Sequence, residues 1–409
     1  MMKKYVIIGG GVASLGCIDG IRKKDSEGEI TLICGENFLP YARPLISYYL
    51  ENKTTAEKMI LRSEDFYKSQ NVCIKKGVHA EKIEDKTVMC DNGEKIPFDE
   101  LLVATGSSPF VPPFEGLDKV EKKFSFMTMS DALALEQAIT PDSKVLIIGA
   151  GLIGLKCAEG LKGKVKEITV CDLADRVLSS ILDNECAGLI AKKLTDNGIK
   201  LMLSDSAESF SKNSAKMKSG KTVDFDVLVT AVGVRPNIAL LKDIGAKINR
   251  GVLVDSHQQT TIPHIYAAGD LCESMDISSG SEKVMAILPN AYIGGLCAGS
   301  NMAGDESAFD NAIPMNSIGF FGYHMMTAGS YDGELYEEKT ADGIKKLFVK
   351  DNRLVGFIIL GDVNKVGIYT SLIRNKTPID TIDFEILKKD LSLLPFSSDY
   401  RSKVLGGVI

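Results

Sequence analysis

Twice in this chain a short apolar run stops at closely spaced glycines and gives way to a helical stretch. The first instance is Tyr5-Val6-Ile7-Ile8, then Gly9-Gly10-Gly11-Val12-Ala13-Ser14, with helical character to about Lys24. The second is Val145-Leu146-Ile147-Ile148, then Gly149-Ala150-Gly151-Leu152-Ile153-Gly154, helical to about Lys162. A short apolar run halted by glycine reads as a buried parallel strand entering a tight turn. Each unit continues into a second strand and an acid: Glu29 to Ile33 precedes Glu36, and Glu167 to Cys171 ends at Asp172. Two such units in one chain imply an α/β fold with two Rossmann-like domains.

The turn chemistry suits a dinucleotide. Gly9 makes the first turn, Gly11 lets the backbone approach a pyrophosphate, and the small third residue, Ser14, allows close helix–strand packing. Gly149, Gly151 and Gly154 take the same places in the second unit, with Ile153 beside them. The helix N-terminus then offers unpaired N–H groups and partial positive charge to the phosphates. An acid after the second strand accepts from a ribose hydroxyl, which singles out Glu36 and Asp172. Asp172 lies 23 positions after Gly149. It favours a free 2′-hydroxyl, hence NADH over NADPH, because a 2′-phosphate would meet like charge. Arg176 is the counterweight, since a nearby guanidinium can hold a phosphate. One glycine motif alone is no more than a glycine-rich turn. Two in matching context imply two bound dinucleotides, an arrangement suited to a hydride relay.

Four further segments resemble the two-dinucleotide-binding flavoproteins of the pyridine nucleotide–disulphide oxidoreductase type. Leu101-Leu102-Val103-Ala104-Thr105-Gly106 is similar to the segment by which such chains leave the FAD domain, and Ala231-Val232-Gly233-Val234-Arg235-Pro236-Asn237 to the returning segment. Ile265-Tyr266-Ala267-Ala268-Gly269-Asp270 resembles the second FAD motif. Pro40-Tyr41-Ala42-Arg43-Pro44-Leu45-Ile46-Ser47 is similar to a stretch of rubredoxin reductases, ferredoxin reductases and the flavin part of nitrite reductases. The resemblance runs from about residue 5 to 300. It implies a glutathione-reductase-like α/β architecture: an FAD-binding domain of 1–112 and 250–308, an NAD(P)-binding domain of 113–249, and a small α+β C-terminal interface domain of 309–409, which in relatives often supports a homodimer. Pro109 to Pro113 reads as a stiff linker between the first two.

For FAD the resemblance and the turn logic together imply Gly9, Gly11, Ser14, Glu36, Arg43 near the phosphates, Ala80 at the adenine, Thr105, Gly106, and Asp270 on the ribitol. Pro289 and Asn290 join them, because Leu288 to Gly295 resembles a helix whose N-terminus faces the flavin pyrimidine carbonyl, with Pro289 in a helix-starting position. For the nicotinamide nucleotide the set is Gly149, Gly151, Ile153, Gly154, Asp172 and Gly233.

Many relatives pass electrons from flavin to a cysteine pair. This chain has nine cysteines but neither C-x-x-C nor C-x-x-x-x-C, and Pro44 falls about where the single redox cysteine of peroxidase-type relatives lies. Disulphide reduction needs a thiolate beside the flavin, so the expectation is direct transfer from FAD to a small electron carrier, rubredoxin or an iron–sulfur protein. An NADH oxidase and a slow-turnover redox sensor are the alternatives. Cys17 and Cys34 read as core residues. Relatives often carry Lys just after R-P-x-L-S and Glu two positions beyond the last glycine of the NAD motif; here these are Tyr48 and Lys156. Lys156 is therefore expected either to bring positive charge beside the flavin–nicotinamide contact, where a cation stabilises reduced flavin, or to point into solvent.

A net charge of −6 argues against a nucleic-acid partner. No apolar run reaches the roughly 18 residues of a membrane span, and the signal-like opening has its glycines too early and no A-x-A-like site. Unpaired cysteine spacing fits reduced thiols and a cytoplasmic protein. Four histidines without ligand spacing suggest no metal site, and His324 receives no role. Lys345, Lys346, Lys350 and Arg353 form a basic cluster, read as a solvated face or as a guide for an acidic partner.

Overall fold

The computed structural model describes residues 2–405. It divides into two compact units: one takes in residues up to Glu273 together with Leu288–Phe309, the other Ser274–Ile287 together with the chain from Asp310 onward. Within the stretch 250–308, therefore, Ser274–Ile287 belongs with the C-terminal residues.

The larger unit holds two five-stranded parallel sheets. In the first the order is Ile265–Ala267, Glu100–Val103, Lys4–Ile8, Glu29–Cys34, Val72–Lys76. In the second it is Lys123–Phe124, Val227–Thr230, Lys144–Ile148, Glu167–Cys171, Lys200–Met202. The plan is shared. A glycine-ended strand stands in the middle, the next strand in sequence lies on one side, and a later one lies on the other. The strand order reverses beside that central strand, where doubly wound sheets bind ligands. The sheets differ in the strand beyond the later one: the first takes it from residues 265–267, the second from residues 123–124. A three-stranded antiparallel meander accompanies each, Ala80–Glu84 with Thr87–Cys90 and Lys95–Pro97, and Ala207–Phe210 with Ser214–Met217 and Thr222–Asp224.

After an opening lysine, the central strands Lys4–Ile8 and Lys144–Ile148 are apolar and buried because both faces are covered. Tyr5, Ile7, Ile30, Leu32 and Leu102 enter one core cluster, while Val6, Ile8, Ile33, Leu101 and Val103 enter another. Helix Val12–Lys24 lies against helix Leu288–Met302 at backbone contact. A methyl group on Gly16 or Gly20 would overlap the carbonyls of Tyr292 and Leu296, and one on Gly295 or Gly299 those of Ala13 and Cys17. Partner numbers rise together along both helices, so the two run parallel and start side by side.

The smaller unit carries a five-stranded antiparallel sheet in the order Met315–Phe320, Tyr323–Gly329, Arg353–Leu360, Ile344–Lys350, Glu334–Lys339. Helix Gly367–Arg374 contributes Tyr369, Leu372 and Ile373 to its core beside Leu347, Phe357 and Ile359. This is the α/β architecture with a small α+β C-terminal region that the sequence implied. Among the described residues no helix is long and apolar enough to cross a membrane, and no cluster of metal-type side chains occurs.

Candidate dinucleotide sites

At the carboxyl end of the first sheet lies a cleft of about 820 Å³. Its lining includes Gly9, Gly11, Glu36, Arg43, Ala80, Thr105, Gly106 and Asp270. Gly9 turns the chain out of the central strand with φ +121°, and a Cβ there would overlap the Ala104 carbonyl of the neighbouring strand. Only glycine fits. A Cβ on Gly11 would meet nothing within 4 Å, because that position faces the opening. Gly11 also caps helix Val12–Lys24 with no side-chain hydrogen bond, leaving the first N–H groups available. The helix starting at Leu288 begins alongside, with Leu288 and Ala291 on the cleft. Two positive helix ends side by side repel each other until something electron-rich is placed before them.

Three of the expected residues sit just off the lining. Ser14 is fully buried, and its Oγ donates to the Gly11 carbonyl at 2.5 Å, so it packs the turn. Pro289 is exposed and Asn290 is buried in the helix.

Glu36 is held from two sides: Arg43 Nη2 donates to Oε1 at 2.6 Å and the Tyr41 hydroxyl to Oε2 at 2.7 Å. Asp270 differs. No described residue donates a hydrogen bond to it, and burial pushes its carboxyl above the usual range, opposed by the charge of Arg43. A largely desolvated carboxylate facing a cleft without a donor suits a hydroxyl-rich ligand. Together with the open face at Gly11 it gives the residues of this cleft a good fit to FAD: a polyol beside Asp270, phosphates at the two helix starts with Arg43, and adenosine toward Glu36 and Ala80.

The second sheet repeats the turn. Gly149 has φ +114° and would overlap the Ala231 carbonyl if it bore a Cβ, as Gly9 would Ala104. Gly151 caps helix Leu152–Leu161 without a side-chain bond, and Gly154 packs on the Gly149 carbonyl. Ile153 is half-buried in the first turn. Asp172 Oδ2 accepts from Ala150 N at 2.6 Å and Oδ1 from Ala174 N at 2.8 Å, which fixes the carboxylate beside the glycine turn. Arg176 is engaged elsewhere, with Asp175 at 2.9 Å and the carbonyls of Leu182 and Ser179. The Arg176 guanidinium is therefore committed to these partners. Gly233 has φ +126° and accepts from Phe110 N at 2.9 Å, where Val234–Pro236 pairs with Ser107–Pro109.

Lys156 is neither bare nor in solvent. It is 9 % exposed, ion-paired with Glu159 one turn along, and its Nζ lies 4.7 Å from the ring centroid of Tyr48. The nine cysteines are free thiols. Cys17 is packed against Met302. Cys34 is also buried but borders the cleft, and burial pushes its thiol up to about 12.

The cleft also recruits residues to which the sequence assigns no role, notably Tyr41, His79, Met127, Thr128, Asn237 and Lys242. Asn237 was visible as the end of the returning segment and Tyr41 as part of the Tyr-x-Arg-Pro stretch. His79 adjoins Ala80, but Met127, Thr128 and Lys242 carried no signal.

The chain matches the family described as pyridine nucleotide–disulphide oxidoreductase over residues 3–293, and the rubredoxin NAD+ reductase C-terminal domain over 314–377. It is 31 % identical over 408 residues to the NADH-dependent phenylglyoxylate dehydrogenase subunit epsilon of Aromatoleum evansii, covering 95 % of this chain and 96 % of that one. It is 35 % identical over 320 residues to an NADH oxidase of Methanocaldococcus jannaschii, covering 75 % and 71 %. The NADH:rubredoxin oxidoreductase structure from Clostridium acetobutylicum superposes with a TM-score of 0.74 at 24 % identity, covering 95 % of this chain and all of that one, a likeness of fold. The chain belongs to the pyridine nucleotide–disulphide oxidoreductase family and is an oxidoreductase of FAD and NADH.

Proposed function

We propose that this enzyme takes a hydride from NADH at the Asp172 turn and delivers electrons from FAD to a small carrier protein of the rubredoxin or iron–sulfur class, with no cysteine between. The observation that carries this reading is the pairing of two dinucleotide turns with Cys34, the one described cysteine bordering the cleft, whose thiol at about 12 is protonated at neutral pH. Bound FAD supplies the chemistry, since it accepts a hydride and releases electrons singly. The match of residues 314–377 to a rubredoxin reductase domain and the full-length likeness to a dehydrogenase subunit support a protein acceptor.

In this reading residues 1–112, 250–273 and 288–308 serve FAD, 113–249 serve NADH, and the C-terminal residues from 309 onward, with which Ser274–Ile287 groups, serve as the interface domain. Gly9, Gly11, Glu36, Arg43, Ala80, Thr105, Gly106 and Asp270 contact FAD, with Ser14, Pro289 and Asn290 shaping the two helix starts. Gly149, Gly151, Ile153, Gly154, Asp172 and Gly233 contact NADH. Lys156 brings positive charge toward the reacting rings, moderated by Glu159.

The test is anaerobic reduction by NADH followed by stopped-flow oxidation with rubredoxin, ferredoxin and oxygen in turn. Protein carriers should reoxidise the flavin faster than oxygen does. The likeness to an NADH oxidase favours the second reading, and oxygen outpacing every carrier would establish it.

A further inference from the structure

Tyr41 is 6 % exposed, yet its hydroxyl joins groups from two separate stretches of chain. It lies 2.7 Å from Glu36 Oε2 and 2.7 Å from Met129 N. The direction of both bonds is forced. A backbone N–H only donates, so the phenol oxygen accepts from Met129 and its single proton goes to the Glu36 carboxylate. Burial holds the phenol well above its ordinary range, so that proton stays in place across the physiological span.

Met129 opens helix Met129–Ala138, whose start is otherwise closed by a capping box: Thr128 Oγ1 accepts from Asp131 N, and Asp131 accepts from Thr128 N and Met127 N. Tyr41 thus satisfies the first helical N–H, a donor that would otherwise be orphaned in a buried setting. Met127 and Thr128, immediately before the helix, border the same cleft as Glu36.

We infer that Tyr41 is a positioning residue that couples occupancy of the FAD cleft at Glu36 to the anchoring of helix Met129–Ala138 in the NADH-binding region. The inference rests on the reading of Glu36 as acceptor for the vicinal hydroxyls of the adenosine ribose. A ligand that fixes the Glu36 carboxylate fixes the phenol, and the phenol fixes the start of the helix. Ordering at either end is shared with the other, as linkage requires.

The experiment is amide hydrogen exchange of the full chain with and without FAD, in wild type, Tyr41→Phe, Met129→Pro and Glu36→Gln. In wild type, FAD should slow exchange across Met129–Leu135 by about tenfold, a coupling of ordinary size. Tyr41→Phe should abolish that gain at saturating FAD and weaken FAD binding about tenfold. Met129→Pro removes the donor from the other side at a position where proline suits a helix, after a Thr128 already extended at φ −117° and ψ 164°. It should abolish the gain and weaken FAD binding no more than Tyr41→Phe does, and it serves equally if Tyr41→Phe does not fold. Equal FAD-dependent protection in wild type and both link variants, with normal FAD binding, overturns the coupling alone. Undiminished FAD affinity in Glu36→Gln overturns the ribose reading beneath it.

Discussion

Asn237 and Thr105 hold each other reciprocally: the Asn237 amide nitrogen donates to the Thr105 carbonyl at 2.9 Å, and Thr105 Oγ1 donates to the Asn237 carbonyl at 3.0 Å. The two strands that cross between the sheets are therefore tied by side chains as well as by their ladder. Ser108 adds a bond to Asn237 Oδ1 at 2.7 Å. Asn237→Ala removes the side-chain half and leaves Thr105 O without its partner, so the stability of the larger unit should fall by about 1–3 kcal/mol. Urea unfolding measures it, and an unmoved midpoint would show that the ladder alone suffices.

The matched glycine turns give a crossed expectation. Gly9→Ala forces a Cβ into the Ala104 carbonyl and should yield colourless protein. Gly149→Ala does the same at Ala231 and should leave a yellow protein that NADH no longer bleaches at ordinary concentrations. Absorbance of the purified variants decides, and loss of flavin from both would contradict independent sites.

Asp270 makes the apoprotein pH-sensitive. Its folded carboxyl is raised by burial, so the folded state binds more protons than the unfolded one between about 3.8 and the raised value. Stability falls as pH rises through that window and stays lowered above it. Asp270→Asn should therefore raise the melting temperature of FAD-free protein at neutral pH while weakening FAD binding about tenfold or more. A variant that melts lower and binds FAD as tightly as wild type would refute both halves.

Lys156→Met removes the ion-pair partner of Glu159, a buried acid itself 6 % exposed. Destabilisation of about 3–5 kcal/mol is expected, largely recovered in Lys156→Met/Glu159→Gln. If the lysine also acts electrostatically on the flavin, the midpoint potential of the double variant should sit below that of Glu159→Gln alone, because a cation favours the reduced form. Spectroelectrochemical titration showing identical potentials would confine Lys156 to packing against Tyr48.

A thiol held protonated at neutral pH is a poor electron relay. Cys34→Ser should keep NADH-to-carrier turnover within about twofold of wild type, and a collapse in turnover with flavin still bound would restore a role for sulfur.

What the sequence revealed and what it hid follow from the range of the interactions. Gly9, Gly149, Glu36 and Asp172 act within one strand–turn–strand unit, so spacing alone exposes them. Tyr41 owes its importance to a bond with Met129, 88 positions away, and no local pattern encodes that. Lys156 was readable as a departure from relatives, but its partner Glu159 is one helical turn on, a spacing that pairs residues on a helix face. The basic cluster teaches the same lesson. Lys346 stands opposite Glu337 and Lys345 opposite Glu338 across a hairpin, while Lys350 meets Asp332 at 2.7 Å. Two of its four cations pair with acids across the sheet and a third with an acid just before the edge strand, while Arg353 is exposed.

The glycine-lined contact between helices Val12–Lys24 and Leu288–Met302 also has a bearing on synthesis. The second sheet draws all its strands from residues 123–230 and can close as soon as that stretch has left the ribosome. The first, although begun earlier, waits for its strand at 265–267 and for a partner helix that admits no substitute at backbone distance. The nascent chain should thus complete its later-encoded sheet first.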